Sequence, residues 1–232
     1  MKYVITGSLG HISKPLVKAL VAAGNEVVVI SSNAARTKEI EQAGATAAIG
    51  SVDDIGFLKR SFAGAHAVYT MVPPNFAASD WKGYIGQVGK NYAEAIAANK
   101  IPYVVNLSSI GAHLPDGVGP VSGLYRAEQA LNGLKDTHVL HLRPAYFYIN
   151  LLANIGMIKH AGFIGGNYSA ADNSFILVHP NDIAAVAAQA LLNLNFTGHS
   201  VQYIASDETS TDSIASTLGK AIGKPDLKWV EL

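Results

Sequence analysis

Cysteine is absent from the sequence, which excludes disulfides, thiolate zinc sites and thiol catalysis, so any redox function needs a bound cofactor. Charge of either sign is scarce. Aspartate, glutamate, lysine and arginine make up 15% of the residues, below the roughly 25% of an ordinary soluble domain. That scarcity suits a sheet covered on both faces and an interface with a second copy of the chain. The 17 basic residues balance the 17 acidic ones, so no overall field draws nucleic acid or an anionic membrane, and neither is expected as a partner. No apolar run approaches the ~18 residues of a spanning helix. The N-terminus carries one lysine and then an apolar run of strand length only, and a cytoplasmic location is expected. Solenoid repeats, low-complexity tracts and a G-x-S-x-G nucleophile elbow are missing as well.

What is present is organised around Met1 to Gly24, MKYVITGSLGHISKPLVKALVAAG. A short β-branched run over Lys2 to Thr6 leads into the turn Gly7, Ser8, Leu9, Gly10, His11, Ile12, Ser13 and then into a stretch of helical period. A dinucleotide pyrophosphate rests on helix-terminal N–H groups only where no side chain stands between it and the backbone. Gly7 permits the turn, Gly10 permits the close approach, and Ser13 takes the third small position, giving G-x-x-G-x-x-S. The same spacing also occurs in an ordinary loop; what argues for a cofactor is the regular β/α alternation that follows.

The second strand, Glu26 to Ile30, is followed by Ser31, Ser32, Asn33 and Arg36, with no acid between Val27 and Lys38. An acid at this place bonds ribose hydroxyls, whereas hydroxyls with a guanidinium suit a 2′-phosphate, so NADP(H) is expected over NAD(H). The plainer alternative is a solvated helix start capped by Ser32 or Asn33. A weak third strand over Ala45 to Ile49 precedes Ser51 and Val52, expected against adenine, and Asp53 or Asp54 as a helix cap. Ala67 to Val72 is a fourth strand stopped by Pro73-Pro74, which makes Met71, Val72 and Pro73 candidate contacts of the nicotinamide end. After a helix over Trp81 to Asn99, the fifth strand, Pro102 to Leu107, ends in Ser108-Ser109-Ile110. The segment His113 to Ser122 is expected as a loop over that edge.

The next helix, Gly123 to Leu134, presents Tyr125 and Gln129 one turn apart. A tyrosine one turn before a lysine is a proton-exchange device in reductases, but Gln129 carries no charge to lower a phenol pKa of about 10. Tyr125 is therefore a catalytic candidate without its usual partner. His138 and His141, three apart on the strand Thr137 to Leu142, face opposite sides and make poor metal partners. From Arg143 onward the chain turns aromatic. A stretch rich in glycine and polar residues runs from 162 to 173, Phe175 to Val178 forms a strand, and Pro180 to Leu194 an alanine-rich helix. A strand over Ser200 to Ala205 and a helix over Thr209 to Ile222 close the pattern.

The strings TGSLGHIS, NLSSIGA, GLYRAEQAL, LRPAYFYINLL, HPNDIAAVAAQALL and GKAIGKP, taken in order, resemble the NmrA-like branch of the atypical short-chain dehydrogenase/reductases over nearly the whole chain. The resemblance implies an α/β fold: a Rossmann-like doubly wound parallel sheet over 1–145, completed by 180–205, with a small C-terminal substrate lobe from 146–179 and 206–232. It implies NADP preference, loss of the Tyr-Lys pair, and members that are either quinone-type reductases or cofactor-sensing regulators. It also places Ser108, Gln129 and Pro144 on the cofactor side, and Ile110, His113, Tyr146 and Phe147 beside a small quinone or carbonyl acceptor. Two departures stand out. Ser13 replaces a glycine, which predicts looser packing of the first helix, and family members commonly run on past the position of Leu232, which predicts a less closed substrate lobe.

Overall fold

Lys2–Ile5 forms β1, and its Tyr3, Val4 and Ile5 are all buried. Alternate strand residues point to opposite faces, so an unbroken buried run requires cover on both sides of the sheet. The same holds for β2 (Glu26–Ser31), β4 (Ala67–Thr70) and β6 (His138–Pro144), whereas β3 (Thr46–Ile49) is half open at one edge. With β5 (Tyr103–Leu107) and β10 (His199–Ile204) these strands make one seven-stranded sheet in the order β10-β6-β5-β4-β1-β2-β3. Strands β1 to β6 pair in parallel, with Val4 opposite Val28 on one side and Val68 on the other. The order reverses between β1 and β4, which is the switch point of the expected Rossmann-like fold.

The computed structural model describes residues 1–168 and 174–232; residues 169–173 of the stretch expected as polar loop lie outside the described part. The chain divides into two units, Met1–Pro144 with Asn181–Tyr203 and Ala145–Pro180 with Ile204–Leu232. In the first unit, α3 (Ile55–Phe62), α4 (Trp81–Asn99) and α5 (Val121–Asn132) bury Leu58, Phe62, Val88, Tyr92, Ile96 and Leu131 against Val4, Val28, Val68, Val104 and Val139. α1 (Ser13–Ala22) buries Leu16, Val17 and Leu20, and the Tyr3 hydroxyl donates to the Leu191 carbonyl of α7 (Pro180–Asn193) at 2.9 Å.

Close contact between α4 and α5 depends on small residues. A Cβ on Gly89 would stand 2.5 Å from the Ala127 backbone, and one on Gly123 would stand 2.8 Å from Ile85. Some helix starts are closed by their own side chains. Asp54 accepts from the Phe57 N–H at 2.9 Å, and Asp80 from the Gly83 N–H at 2.8 Å. The cap of α3 is thus Asp54 and not Asp53.

Two boundaries differ from expectation for visible reasons. β4 ends at Thr70, because the Met71 N–H donates to the Thr6 hydroxyl (2.8 Å) and not to a strand carbonyl. α5 begins at Val121, because Pro120 at the N-cap has its φ set at −59°, already helical. The looser packing predicted from Ser13 is absent: Ser13 is buried, and its hydroxyl donates to the Thr6 carbonyl at 3.0 Å, so the extra atom is accommodated by a hydrogen bond.

In the second unit, β7 (Tyr146–Phe147) pairs in parallel with β9 (Phe175–Val178), which pairs antiparallel with β11 (Asp207–Thr209). β8 (Ile164–Gly166) pairs with β12 (Trp229–Glu231). The helices α6 (Ile155–His160) and α8 (Thr211–Ala221) complete the unit, and Ser210 caps α8 through the Ser213 N–H at 3.1 Å. Its small core is aromatic. Tyr146 lies 5.2 Å from Phe175 and 5.4 Å from Tyr168, ring centre to ring centre, with Trp229 beyond Phe175.

Candidate functional site

The turn after β1 combines strain with openness. Gly7 has φ 87° and Ser8 φ 55°, both left-handed, and the Ser8 N–H is pinned to the Ile30 carbonyl at 3.0 Å. Gly7 is required by contact as well as by φ, since a Cβ there would meet Met71 Cγ at 2.8 Å and Ser13 Oγ at 2.9 Å. Gly10 is different. It is exposed, and a Cβ would meet only the Gly7 carbonyl oxygen, at 3.3 Å, so its far side is clear. Leu9 and Ile12 turn their side chains into the core, while His11 is exposed. No side chain caps α1 and its first turn carries no acid, so the positive end of its dipole is left for an external anion. These features fit a dinucleotide pyrophosphate.

At the end of β2, several polar groups are already engaged with one another. The buried Ser31 hydroxyl accepts from Ser8 Oγ (3.1 Å) and from the Asn33 N–H (3.2 Å), and Asn33 Oδ1 caps the Ala35 N–H at 2.9 Å. Ser32 and Arg36 are exposed, and Arg36 forms an ion pair with Glu39. Both expectations for Asn33 and Arg36 therefore coexist: a helix-turn cap and an accessible cation. Ser51 Oγ accepts from the Asp53 N–H at 3.1 Å, and Val52 is a core residue whose carbonyl accepts from Asn91 at 3.1 Å.

Beyond β4, Val72 and Pro73 line an apolar cavity of about 180 Å³ with Trp81, Tyr84, Pro120 and Leu124. Met71 holds the base of this segment, its carbonyl accepting from the Tyr92 hydroxyl at 2.7 Å. Burial and the nearby Asp53 carboxylate push the Tyr84 phenol up, so it stays protonated. Tyr125 is not brought here. It follows Leu124 by one residue, about 100° around the helix, and lines a separate polar cleft of about 260 Å³ with His113, Gln129, Asn132 and His141. Ser108, expected on the cofactor side, does not line that cleft: its Oγ donates to the buried Glu128 carboxylate, while the exposed Gln129 lies there beside Tyr125.

Glu128 was not singled out from the sequence, nor was its partner. It is 1% exposed and receives both Arg143 Nη2 at 2.6 Å and Arg143 Nε at 3.0 Å, while Arg143 Nη1 donates to the Tyr203 hydroxyl at 3.1 Å. The carboxylate raises the pKa of the Arg143 guanidinium further. Beside this pair runs a second chain. Thr70 donates to Asn106 Oδ1 (2.9 Å), Asn106 Nδ2 donates to His141 Nδ1 (3.1 Å), and His141 Nε2 meets Asn132 Oδ1 at 3.0 Å. An amide nitrogen only donates, which fixes the imidazole proton on Nε2. Burial lowers the His141 pKa to about 4, so the ring is neutral. Ile110 is 45% exposed and its N–H donates to the Pro144 carbonyl at 3.0 Å. Tyr146 and Phe147 belong to the second unit, where Tyr146 packs into the aromatic core. Among the described residues, no group of histidine and acidic side chains could hold a metal ion, and no helix is long and apolar enough to cross a membrane.

Residues 7–139 match the pattern of a family described as NAD(P)H-binding, which is more than half of the chain. The chain belongs to this NAD(P)H-binding family. The resemblance to the NmrA-like branch fits that membership. A curated reductase of (4-alkanoyl-5-oxo-2,5-dihydrofuran-3-yl)methyl phosphate from Streptomyces griseus subsp. griseus is 25% identical, over 99% of this chain and 76% of its own length. An NADPH-dependent quinone oxidoreductase from Escherichia coli, solved with NADPH, shares the fold with a TM-score of 0.84 at 20% identity, over 99% of this chain and 78% of that one. A triphenylmethane reductase from Citrobacter sp., solved with NADP(H), gives a TM-score of 0.83 at 17% identity, over 100% and 79%. The family match lies within the first unit, while the likeness in fold to these two solved structures covers residues of both units.

Proposed function

We propose that this chain is an NADP(H)-dependent oxidoreductase that delivers hydride to a small quinone or carbonyl acceptor. The observation that carries the reading is the uncapped, acid-free start of α1 behind Gly10, at the point where the strand order reverses, with the Arg36 guanidinium exposed at the end of β2. The backbone N–H groups of residues 11–13 would hold the pyrophosphate, Ser32 and Arg36 the 2′-phosphate, and Val72 and Pro73 the nicotinamide end; the Gly10 N–H is held by the Gly7 carbonyl at 3.2 Å. The bound nicotinamide supplies the hydride. The chain's own part is to bind, orient and exclude water, and the apolar cavity of Val72, Pro73, Trp81, Pro120 and Leu124 suits that task. A quinone takes its proton from water, which suits a cavity whose one phenol, Tyr84, is held protonated.

The same scarcity of proton donors favours a second reading, a regulator that binds NADP(H) and reports redox state to a protein partner. Titration with NADPH and NADH, followed by quinone-dependent NADPH oxidation in the same sample, separates them. Tight NADPH binding with turnover supports the reductase; tight binding without turnover across quinones and carbonyls supports the regulator. Failure to bind either nucleotide overturns both.

A further inference from the structure

We infer that Glu39 is a built-in occupant of the anion site at the adenosine end, spacing Lys14 and Arg36 for a 2′-phosphate and setting how strongly that phosphate is preferred. The inference rests on the NADP(H) reading above. Lys14 is the second residue of α1 and Arg36 closes the 3-10 turn Ala34–Arg36 after β2. Folding brings both to one carboxylate: Lys14 Nζ bonds Glu39 Oε1 at 2.9 Å, and Arg36 Nη1 bonds the other oxygen, Oε2. Those two cations hold the Glu39 carboxyl below the usual carboxylate range, the Lys14 hydrogen bond contributing most.

All three side chains are open to solvent, at 47% for Lys14 and Arg36 and 36% for Glu39, so a ligand reaches them without rearranging the core. Closer to β2, the Ser31 hydroxyl donates to the Asn33 carbonyl at 3.4 Å and the Asn33 N–H to Ser31 Oγ at 3.2 Å, while Ser32 is exposed. A phosphate monoester, like a carboxylate, offers several acceptor oxygens on one centre, and both cations favour it by charge and geometry. It enters by exchange with Glu39. The displaced carboxylate then lies beside a dianion and weakens its binding. A nucleotide with a free 2′-hydroxyl forces no exchange. Glu39 therefore acts on one nucleotide and not the other, unlike an acid that bonds ribose hydroxyls directly.

The test is fluorescence titration of wild type, Glu39→Gln, and Glu39→Gln combined with Arg36→Ala, using NADPH, NADH and adenosine 2′-monophosphate, with circular dichroism to verify folding. Glu39→Gln is expected to tighten NADPH and adenosine 2′-monophosphate about fivefold, the scale of two exposed ion pairs, and to leave NADH unchanged. Adding Arg36→Ala removes the gain. Unchanged NADPH affinity in Glu39→Gln, or weakened NADH, overturns the role given to Glu39. The NADP(H) reading fails separately, if wild type and Glu39→Gln both bind NADH as tightly as NADPH.

Discussion

The start of α1 and the starts of α3, α4 and α8 are made in opposite ways: the N-cap of α1, Ile12, is already helical, whereas Asp54, Asp80 and Ser210 are extended. Asp54, Asp80 and Ser210 each turn a side chain back onto an N–H of the first turn, whereas α1 has no such side chain and no acid nearby. A cap is worth about 1 kcal/mol, so α1 forgoes a stabilisation that three other helices take. The polar groups at the ends of β5 and β6 follow the second pattern, with Ser108, Glu128, Arg143 and Tyr203 spending their hydrogen bonds on one another. Side-chain capping is thus one of two endings in this fold, and α1, like α5 and α6, does without it.

Substitutions can break that contrast. Gly10→Val is expected to abolish measurable binding of both NADPH and NADH while the far-ultraviolet circular dichroism stays that of wild type, because a Cβ there meets only the Gly7 carbonyl oxygen, at 3.3 Å. Retained nucleotide affinity would remove the pyrophosphate from this turn. Glu128→Gln strands a buried guanidinium and is expected to cost about 3–5 kcal/mol of stability in urea unfolding, with nucleotide affinity in the surviving folded protein little changed.

The neutral His141 gives a pH signature. Its folded pKa of about 4 lies below the ordinary value of 6.5, so between these values the unfolded chain binds a proton that the native chain refuses. Stability is then full above about pH 6.5 and falls as the pH drops toward 4, by on the order of 3 kcal/mol in total. His141→Gln should flatten that slope in urea midpoints measured from pH 7 to 5. The smallest effect is expected from Asp80→Ala, about 1 kcal/mol from the lost cap of α4. The same experiment on α1 has no side chain to delete.

Much of this frame was legible in the residues. The span of α4, Trp81–Asn99, follows from helical period and that of β9, Phe175–Val178, from an unbroken apolar run, and the Gly7 to Ser13 turn announces itself by spacing. What could not be read are contacts made only in three dimensions. Ser108, Glu128 and Arg143 come from a strand end, a helix and another strand, and no local pattern couples them. Glu39 joins α1 to the turn after β2, a contact that no local spacing signals. Tyr125 misled for the converse reason: helical spacing to Gln129 is visible in sequence, but which helix face meets the end of β4 is decided by packing, and Leu124 takes that place.

The glycine seam between α4 and α5 has a consequence for how such a protein can diverge. Gly89 and Gly123 bring the two helices within a methyl group of collision, so neither residue can enlarge without moving both helices. The segment entering α4, with Pro73 and Pro74, and the one entering α5, ending at Pro120, are thereby mounted on one stiff frame. Side chains on these two entrances can be exchanged over generations and the cavity reshaped, while the frame that aligns them is held fixed by two residues with nothing to exchange.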